Sequence, residues 1–305
     1  MSPNVSVILP TYNRATLLRA AMDALLRQNA PRDSYEIVVV NNNSSDGSVE
    51  FLASLDDPRV VVVREPRQGL SYARNTGLAA SRSPIVALTD DDVEVAPDWI
   101  DTITTTMAAH PDVDAVGGRV LPAWPEDKPS WLTPTHWAPL ALQDHGDVNR
   151  VFDRASPIGL IGANVAFRRS VFERVGTFSP AVQRVKDSIG STEDHELLHR
   201  LYASGGRALY TPHMIVMTRV PRERCARAYH RRWHAGHGFF HALMRSDEVE
   251  RSRVRVLGVP GHLLRGAATD AAHWAACAIR GDWDGAFAAE LRLRFFGGFV
   301  KGRLS

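Results

Sequence analysis

Short apolar, β-branched runs begin near Val5 (VSVIL), Glu36 (EIVVV), Val60 (VVVVR), Ile85 (IVAL) and Ala115 (AVGGRV). The segments between them place apolar residues at helical spacing, as at Leu17, Ala21 and Leu25. Runs and helices that alternate at roughly 25 to 30 residues are the signature of βαβ units. The predicted fold class is therefore α/β, a Rossmann-like, mostly parallel central sheet flanked by helices. Ligands collect at the carboxyl ends of the strands in such sheets.

The alternation breaks between Leu121 and Ser156, where LPAWPEDKPSWLTPTHWAPL reads as a long loop rich in Pro and Trp. Loops of this length inside a compact domain are functional or disordered, and three tryptophans argue against disorder. Periodicity returns with GANVAFRRSVFERVG, followed by a polar, flexible stretch from Ser179 to Ser191. In STEDHELLHRLYASGG, Ser191 or Thr192 reads as a helix cap, the acids fall in the first turn, and Leu197, Leu198 and Leu201 share a core-facing stripe. Gly205 then ends the helix. Beyond Arg219 the chain reads as amphipathic helices, with Tyr229, Trp233, His237 and Phe240, and later Phe287, Leu291 and Phe295, at three- to four-residue spacings.

The formal net charge of +2 conceals an asymmetry. From Arg219 to Ser305 there are 16 Lys and Arg against 8 Asp and Glu, and before it 20 against 26, so the two parts meet different partners. The basic, aromatic tail suits an anionic membrane surface, or else a helical cover that packs on the rest of the chain or on a dimer partner. No recognised nucleic-acid module accompanies the charge. Cys225 and Cys277 form no metal or redox spacing, which points to a reducing, cytoplasmic setting, with peripheral attachment to the inner membrane face if the basic tail meets the membrane. MSPNVSVILPTYNR lacks the features of a signal peptide, and AAHWAACAI falls far short of the ~20 residues of a spanning helix.

The chemistry centres on IVALTDDDVEVAPDWI, where an apolar run ends in Asp90, Asp91 and Asp92. Like charges in a row repel, which a solvated turn tolerates and a cleft does not unless a cation neutralises them. A hard divalent ion with oxygen ligands answers that need, whereas a solvated acidic turn before the helix at Trp99 is the alternative. Alternate residues of an extended segment point the same way, so Asp90 and Asp92 share one side and Asp91 takes the other.

Five stretches in order, SVILPTYNR, VVVNNNSSDGS, GLSYARNTGLAAS, ALTDDDV and TEDHELLHRL, resemble the family 2 inverting glycosyltransferases of the GT-A fold. The resemblance runs from about Val5 to Pro221. It implies a GT-A catalytic domain over 1–218, with a nucleotide-sugar donor half (1–120) and an acceptor half (121–218), followed by a basic helical extension (219–305). It also implies transfer of a sugar to a hydroxyl of a saccharide or lipid-linked acceptor. Pro10, Thr11 and Tyr12 would line the base pocket, with Arg14, Asn42, Arg74 and Asp91 near the nucleotide. Asp90 would touch the ribose side, and Asp92, with Asp90, would hold Mn²⁺ or Mg²⁺ on the diphosphate. Asp194 matches the family's general base, with Glu193 orienting the site. Gly162, Ala163 and Asn164 would lie between donor and acceptor, and Trp124 and Trp131 would stack on sugar rings or pack their own loop.

Two positions depart from the family pattern. Asn41, Asn42, Asn43 and Ser44 replace an Asp-Asp-Gly-Ser turn, which leaves uridine unassured as the base. Thr218 stands where relatives carry a metal-binding histidine, a role open to His213 nearby. His230, His234, His237 and His241 have helical spacing but no acidic companion, and read as a helix face rather than a metal site. A Rossmann dehydrogenase is excluded because PTYNRAT, with no glycine-rich turn, follows the first strand. A non-catalytic nucleotide-sugar or carbohydrate-binding module on the same scaffold is the competing function.

Overall fold

The computed structural model describes residues 3–157, 159–183, 189–190, 192–245, 247–250, 252 and 254–305. The chain divides into two compact units: Met1–Trp124, Ala141–Pro180 and Glu193–Arg219 form the first, and Pro125–Leu140, Ala181–Thr192 and Val220–Ser305 the second.

The first unit is built on one sheet. Its strands are β1 (Val5–Thr11), β2 (Tyr35–Asn41), β3 (Val60–Arg64), β4 (Ile85–Leu88), β5 (Val93–Val95), β6 (Ala115–Ala123), β7 (Arg150–Phe152), β8 (Val165–Arg168) and β9 (Ala208–Arg219). Among the described residues they lie in the order β3-β2-β1-β4-β8-β6-β9-β5, with β7 pairing β9. The half that holds β3, β2, β1 and β4 is parallel throughout, as the βαβ rhythm predicts. Beyond β4 the sheet turns mixed, because β8 runs antiparallel to both β4 and β6.

Strand order reverses direction at β1, which has β2 on one side and β4 on the other. Crevices at such switch points receive ligands. The crevice starts where the β1–β4 register ends, at Ile8↔Leu88. Pro10, which has no N–H to give, is therefore tolerated on a central strand, since no β4 register partner stands beside it.

The helices of this unit are α1 (Ala15–Leu26), α2 (Ser48–Ala53), α3 (Leu70–Ala80), α4 (Trp99–Ala109), α5 (Ser170–Val175) and α6 (Glu193–Ala203). Helix α3 lies close on the sheet at Gly77, where an added Cβ would collide with Ile8. Leu197, Leu198 and Leu201 of α6 are fully buried in the same core as Ile8, Val40 and Phe178. Each such burial contributes roughly 1.5–3 kcal/mol. Gly205 follows α6 at φ +82°, the left-handed conformation that ends a helix. Of the two predicted caps, Ser191 lies outside the described residues, and Thr192 Oγ1 has no hydrogen-bond partner among the described residues.

The second unit contains α7 (Arg227–Met244), α8 (Asp247–Glu250), a two-stranded hairpin of β10 (Arg255–Val256) and β11 (Val259–Pro260), α9 (Gly261–Ile279) and α10 (Trp283–Leu304). Its own small core joins Ala242, Val259 and Phe299. No helix of the described residues is long and apolar enough to cross a membrane.

Candidate active site

The three aspartates follow β4 at the switch-point crevice, between it and β5. They alternate as an extended segment requires: Asp91 is buried, and Asp90 and Asp92 are partly exposed. Asp91 accepts from Thr11 Oγ1 at 2.7 Å and from Arg14 Nη1 at 2.9 Å. The same Arg14 nitrogen lies 2.9 Å from Asp92 Oδ2. Burial pushes the Asp91 carboxyl up to about 6, against the opposing pull of Arg14. Burial also disfavours the charge of Arg14, but Asp91 and Asp92 outweigh it and hold the guanidinium above its ordinary value.

Asp90 turns to a different cation. Arg74, on the sheet-facing side of α3, has 1% of its side chain exposed and places Nη2 3.3 Å from Asp90 Oδ1. Its Nη1 pairs with Asp194 Oδ1 at the start of α6 and lies 3.7 Å from Glu193 Oε1. One buried guanidinium thus joins the aspartate loop to acids about a hundred residues further along the chain. Burial works against this charge, and Asp194, Asp90 and Glu193 together raise the Arg74 pKa above its ordinary value. The acids at the N-terminus of α6 also face the positive end of its dipole.

Gly162 completes the arrangement. Its backbone N–H donates to Asp194 Oδ2 at 3.0 Å, and an added Cβ there would collide with both Asp194 and Arg74. Ala163 and Asn164 are buried beside it. The Asn164 amide donates to the carbonyls of Arg119 and Met214, each at 2.8 Å, and accepts from Trp99 Nε1 at 2.7 Å. Asn164 is therefore a latch that fixes the Gly162–Asn164 turn against β6, β9 and α4.

Other predicted residues have different surroundings. Tyr12 is exposed just past β1, beyond the buried Pro10 and Thr11. Asn42 is buried, and both of its N–H bonds go to backbone, at Glu65 O (2.9 Å) and Arg67 O (2.7 Å). Its Oδ1 accepts from Gly69 N at 2.9 Å, which ties the end of β2 to the loop that launches α3. Asn42 thus holds the loop that leads to Arg74. Trp124 is the last residue of its segment in the first unit, whereas Trp131 belongs to the second. The Trp131 ring meets His136, His230 and Phe287 edge-on and so packs within its own unit.

Thr218 pairs with Val93 in register and donates its hydroxyl to Asp92 O at 3.1 Å. His213 does not replace a ligand there. It is exposed, in the part of β9 that bulges out of register between Tyr210 and Ile215, beyond the end of the β5–β9 pairing farther from Asp92.

No group of three His, Cys, Asp or Glu suited to a metal occurs among the described residues. Two partly exposed carboxylates, Asp90 and Asp92, remain. Hard ions of the Mg²⁺ type are held in this way, by one or two carboxylates together with substrate phosphates, so the donor set fits such an ion.

The least legible feature was the partnership of Arg74. One signal for it exists: Arg74 shares the buried face of α3 with Ser71 and Leu78, at i, i+3 and i+7, and a cation on a buried face needs acids opposite it.

The model of the family described as "Glycosyl transferase family 2" matches residues 6–176. A glucosyl-dolichyl phosphate glucuronosyltransferase of Haloferax volcanii is 28% identical over 212 residues, which cover 68% of this chain and 66% of that protein. Glycosyltransferase AglE of the same organism is 34% identical over 126 residues, 40% of this chain and 41% of its own length. The chain thus spans less than two thirds of each of these relatives. Among solved structures, the mannosyltransferase PcManGT of Pyrobaculum calidifontis, in complex with GDP-Man and Mn²⁺, matches with a TM-score of 0.66 at 23% identity, covering 99% of this chain and 87% of that one. S. aureus TarS residues 1–349, in complex with UDP-GlcNAc, matches with a TM-score of 0.58 at 13% identity, covering 95% and 90%. With the family model covering more than half of the sequence and the sheet matching these neighbours, the chain belongs to glycosyl transferase family 2 and has the GT-A fold.

Proposed function

We propose that the protein is an inverting glycosyltransferase that moves a sugar from a nucleotide-sugar donor to a hydroxyl of a saccharide or lipid-linked acceptor. The observation that carries this reading is Arg74, which gathers Asp90, Glu193 and Asp194 around one buried charge. Asp194 takes the proton from the acceptor hydroxyl as its oxygen attacks C1. The bond from C1 to the diphosphate oxygen breaks on the opposite face, the nucleoside diphosphate leaves, and the single displacement inverts the anomeric centre. The Gly162 N–H and Arg74 orient the Asp194 carboxylate for that transfer. Glu193 sets the charge around Arg74. A divalent ion such as Mn²⁺ or Mg²⁺, held by Asp92 and Asp90 when bound, supplies positive charge against that developing on the leaving diphosphate.

The donor is assigned to residues 1–120, around Pro10–Tyr12 and the aspartates, and the acceptor to residues 121–218. PcManGT with GDP-Man and Mn²⁺, and TarS with UDP-GlcNAc, support a nucleotide-sugar donor, and the Haloferax glucuronosyltransferase supports a lipid-linked acceptor. The basic extension, 219–305, is assigned to an anionic membrane surface.

Incubating purified protein with a panel of nucleotide sugars, with and without Mn²⁺, and reading the anomeric configuration of the product by NMR tests the proposal. An inverted product is expected. Retention, or donor binding without turnover for any acceptor class, would contradict it.

A further inference from the structure

Each carboxylate assigned to the divalent ion faces an arginine, and the two arginines are held differently. Arg74, which meets Asp90, is almost wholly buried and is gripped by Glu193 and Asp194 as well. Arg14, which meets Asp92, keeps 28% of its side chain exposed. Both of its contacts, to Asp91 Oδ1 and to Asp92 Oδ2, run through Nη1 at 2.9 Å. Among the described residues its Nε and Nη2 donate to no protein group, so they remain available to an anion. Asp91 is the fixed end of this pairing, because it is buried and its other oxygen accepts from Thr11 Oγ1 at 2.7 Å. Asp92, 21% exposed, is the end that can be given up.

A guanidinium and a divalent ion on one carboxylate repel each other, and close like charges are costly away from bulk water. The chain offers the ion little to offset that cost. No group of three His, Cys, Asp or Glu suited to a metal occurs among the described residues, and the Thr218 hydroxyl is spent on Asp92 O. Diphosphate oxygens complete the shell of a hard ion and also accept from the fork of an arginine. One anion therefore serves both cations that compete for Asp92.

We propose that Arg14 couples the ion to the nucleotide: it holds Asp92 against a divalent ion offered alone and releases it when a nucleoside diphosphate engages the guanidinium. The proposal rests on the transferase reading for the ion and the nucleotide, and adds that the two bind as a pair.

The test titrates the full chain with Mn²⁺ alone and with Mn²⁺ in the presence of UDP or GDP, counting free Mn²⁺ by electron paramagnetic resonance. In wild type, the nucleotide that binds is expected to tighten Mn²⁺ by about thirtyfold or more. Arg14→Gln is expected to bind Mn²⁺ alone about tenfold more tightly than wild type, with the tightening by nucleotide reduced to about threefold. Linkage requires the nucleotide's own affinity, measured by calorimetry with and without Mn²⁺, to move by the same factors. Arg14→Lys keeps the charge and should stay within about threefold of wild type for Mn²⁺ alone. Arg14→Gln combined with Asp91→Asn strands no buried carboxylate, so it should keep the wild-type circular dichroism and still bind Mn²⁺ alone more tightly than wild type.

Mn²⁺ affinity no higher in Arg14→Gln and in the double variant than in wild type overturns the proposal. So does a wild-type Mn²⁺ affinity that nucleotide leaves unchanged, or equal tightening in Arg14→Gln and Arg14→Lys, which would make the effect one of space rather than charge. The two readings fail separately. Sugar transfer by a protein whose Mn²⁺ affinity is indifferent to Arg14 sinks the coupling alone, and the expected Mn²⁺ shifts without transfer to any acceptor sink the transferase reading alone.

Discussion

Both units bury ionisable side chains, and the aspartate crevice of one and the α7 histidines of the other handle the cost in opposite ways. In the sheet unit the groups stay charged and are matched: Arg14 faces Asp91 and Asp92, and Arg74 faces Asp90, Glu193 and Asp194. On α7 of the helical unit burial disfavours the charge of three histidines. His230, His234 and His237 on α7 have pKa values lowered to about 4, chiefly because burial disfavours the imidazolium. Their rings pack as aromatic surface, with Trp131 against His230 and Trp233 stacked on His237. Matched charge is fragile to loss of a partner and useful at a reaction centre, whereas neutral histidine is useful as packing and sensitive to acid.

The contrast is open to attack from either side. The largest stability effect is expected from Arg74→Met, which strands three carboxylates around one buried position. Breaking a buried pair from one side costs about 3–5 kcal/mol, readable in a denaturant titration, and a loss below 1 kcal/mol would show that the matching is incidental. Arg74→Lys should recover little, because a single ammonium does not reproduce the guanidinium fork.

A smaller effect, about 1–3 kcal/mol, is expected for Gly162→Ala, whose Cβ displaces Asp194 and Arg74. Its transfer rate should fall further than its stability does, since the displaced carboxylate is the proposed base. Equal retention of both would remove Gly162 from the site.

The pH response separates the two units without a substitution. The three histidines have folded pKa values below the unfolded value of about 6.5, so the unfolded chain binds protons first as pH falls, and their contribution is lost between pH 6.5 and 4. Glu65 in the sheet unit, bound by Arg67 and Thr76, is lowered to about 2, so its contribution is lost later, from about 4.5 down to 2. Hydrogen-exchange protection of α7 should therefore fall between pH 6.5 and 4.5, while the Glu65 contribution near α3 holds. Simultaneous loss would contradict the distinction.

The parallel half of the sheet was legible because its strands are runs of four to seven residues separated by amphipathic helices. In the mixed half only β6 was legible, from its run at Ala115, since β5 and β7 have three residues each and carry too little pattern to register. The α6 helix could be read from its leucine stripe and terminal acids. The pairing of Arg74 with Asp194 spans 120 residues, and no local period encodes a contact of that range. Asn42 and Asn164 illustrate the same limit: the backbone carbonyls that their amides bind lie 23 to 50 residues away in sequence, and no local period encodes them. Trp131 was open to two readings, and it packs against the rings of His136, His230 and Phe287.

The account rests on Asp194 as the proton acceptor across from the aspartate loop. The most direct test measures donor affinity and transfer rate together in Asp194→Asn. Donor affinity close to wild type is expected, with turnover reduced by about 10²–10⁴, the contribution of a general base. Turnover within a few-fold of wild type would contradict the account.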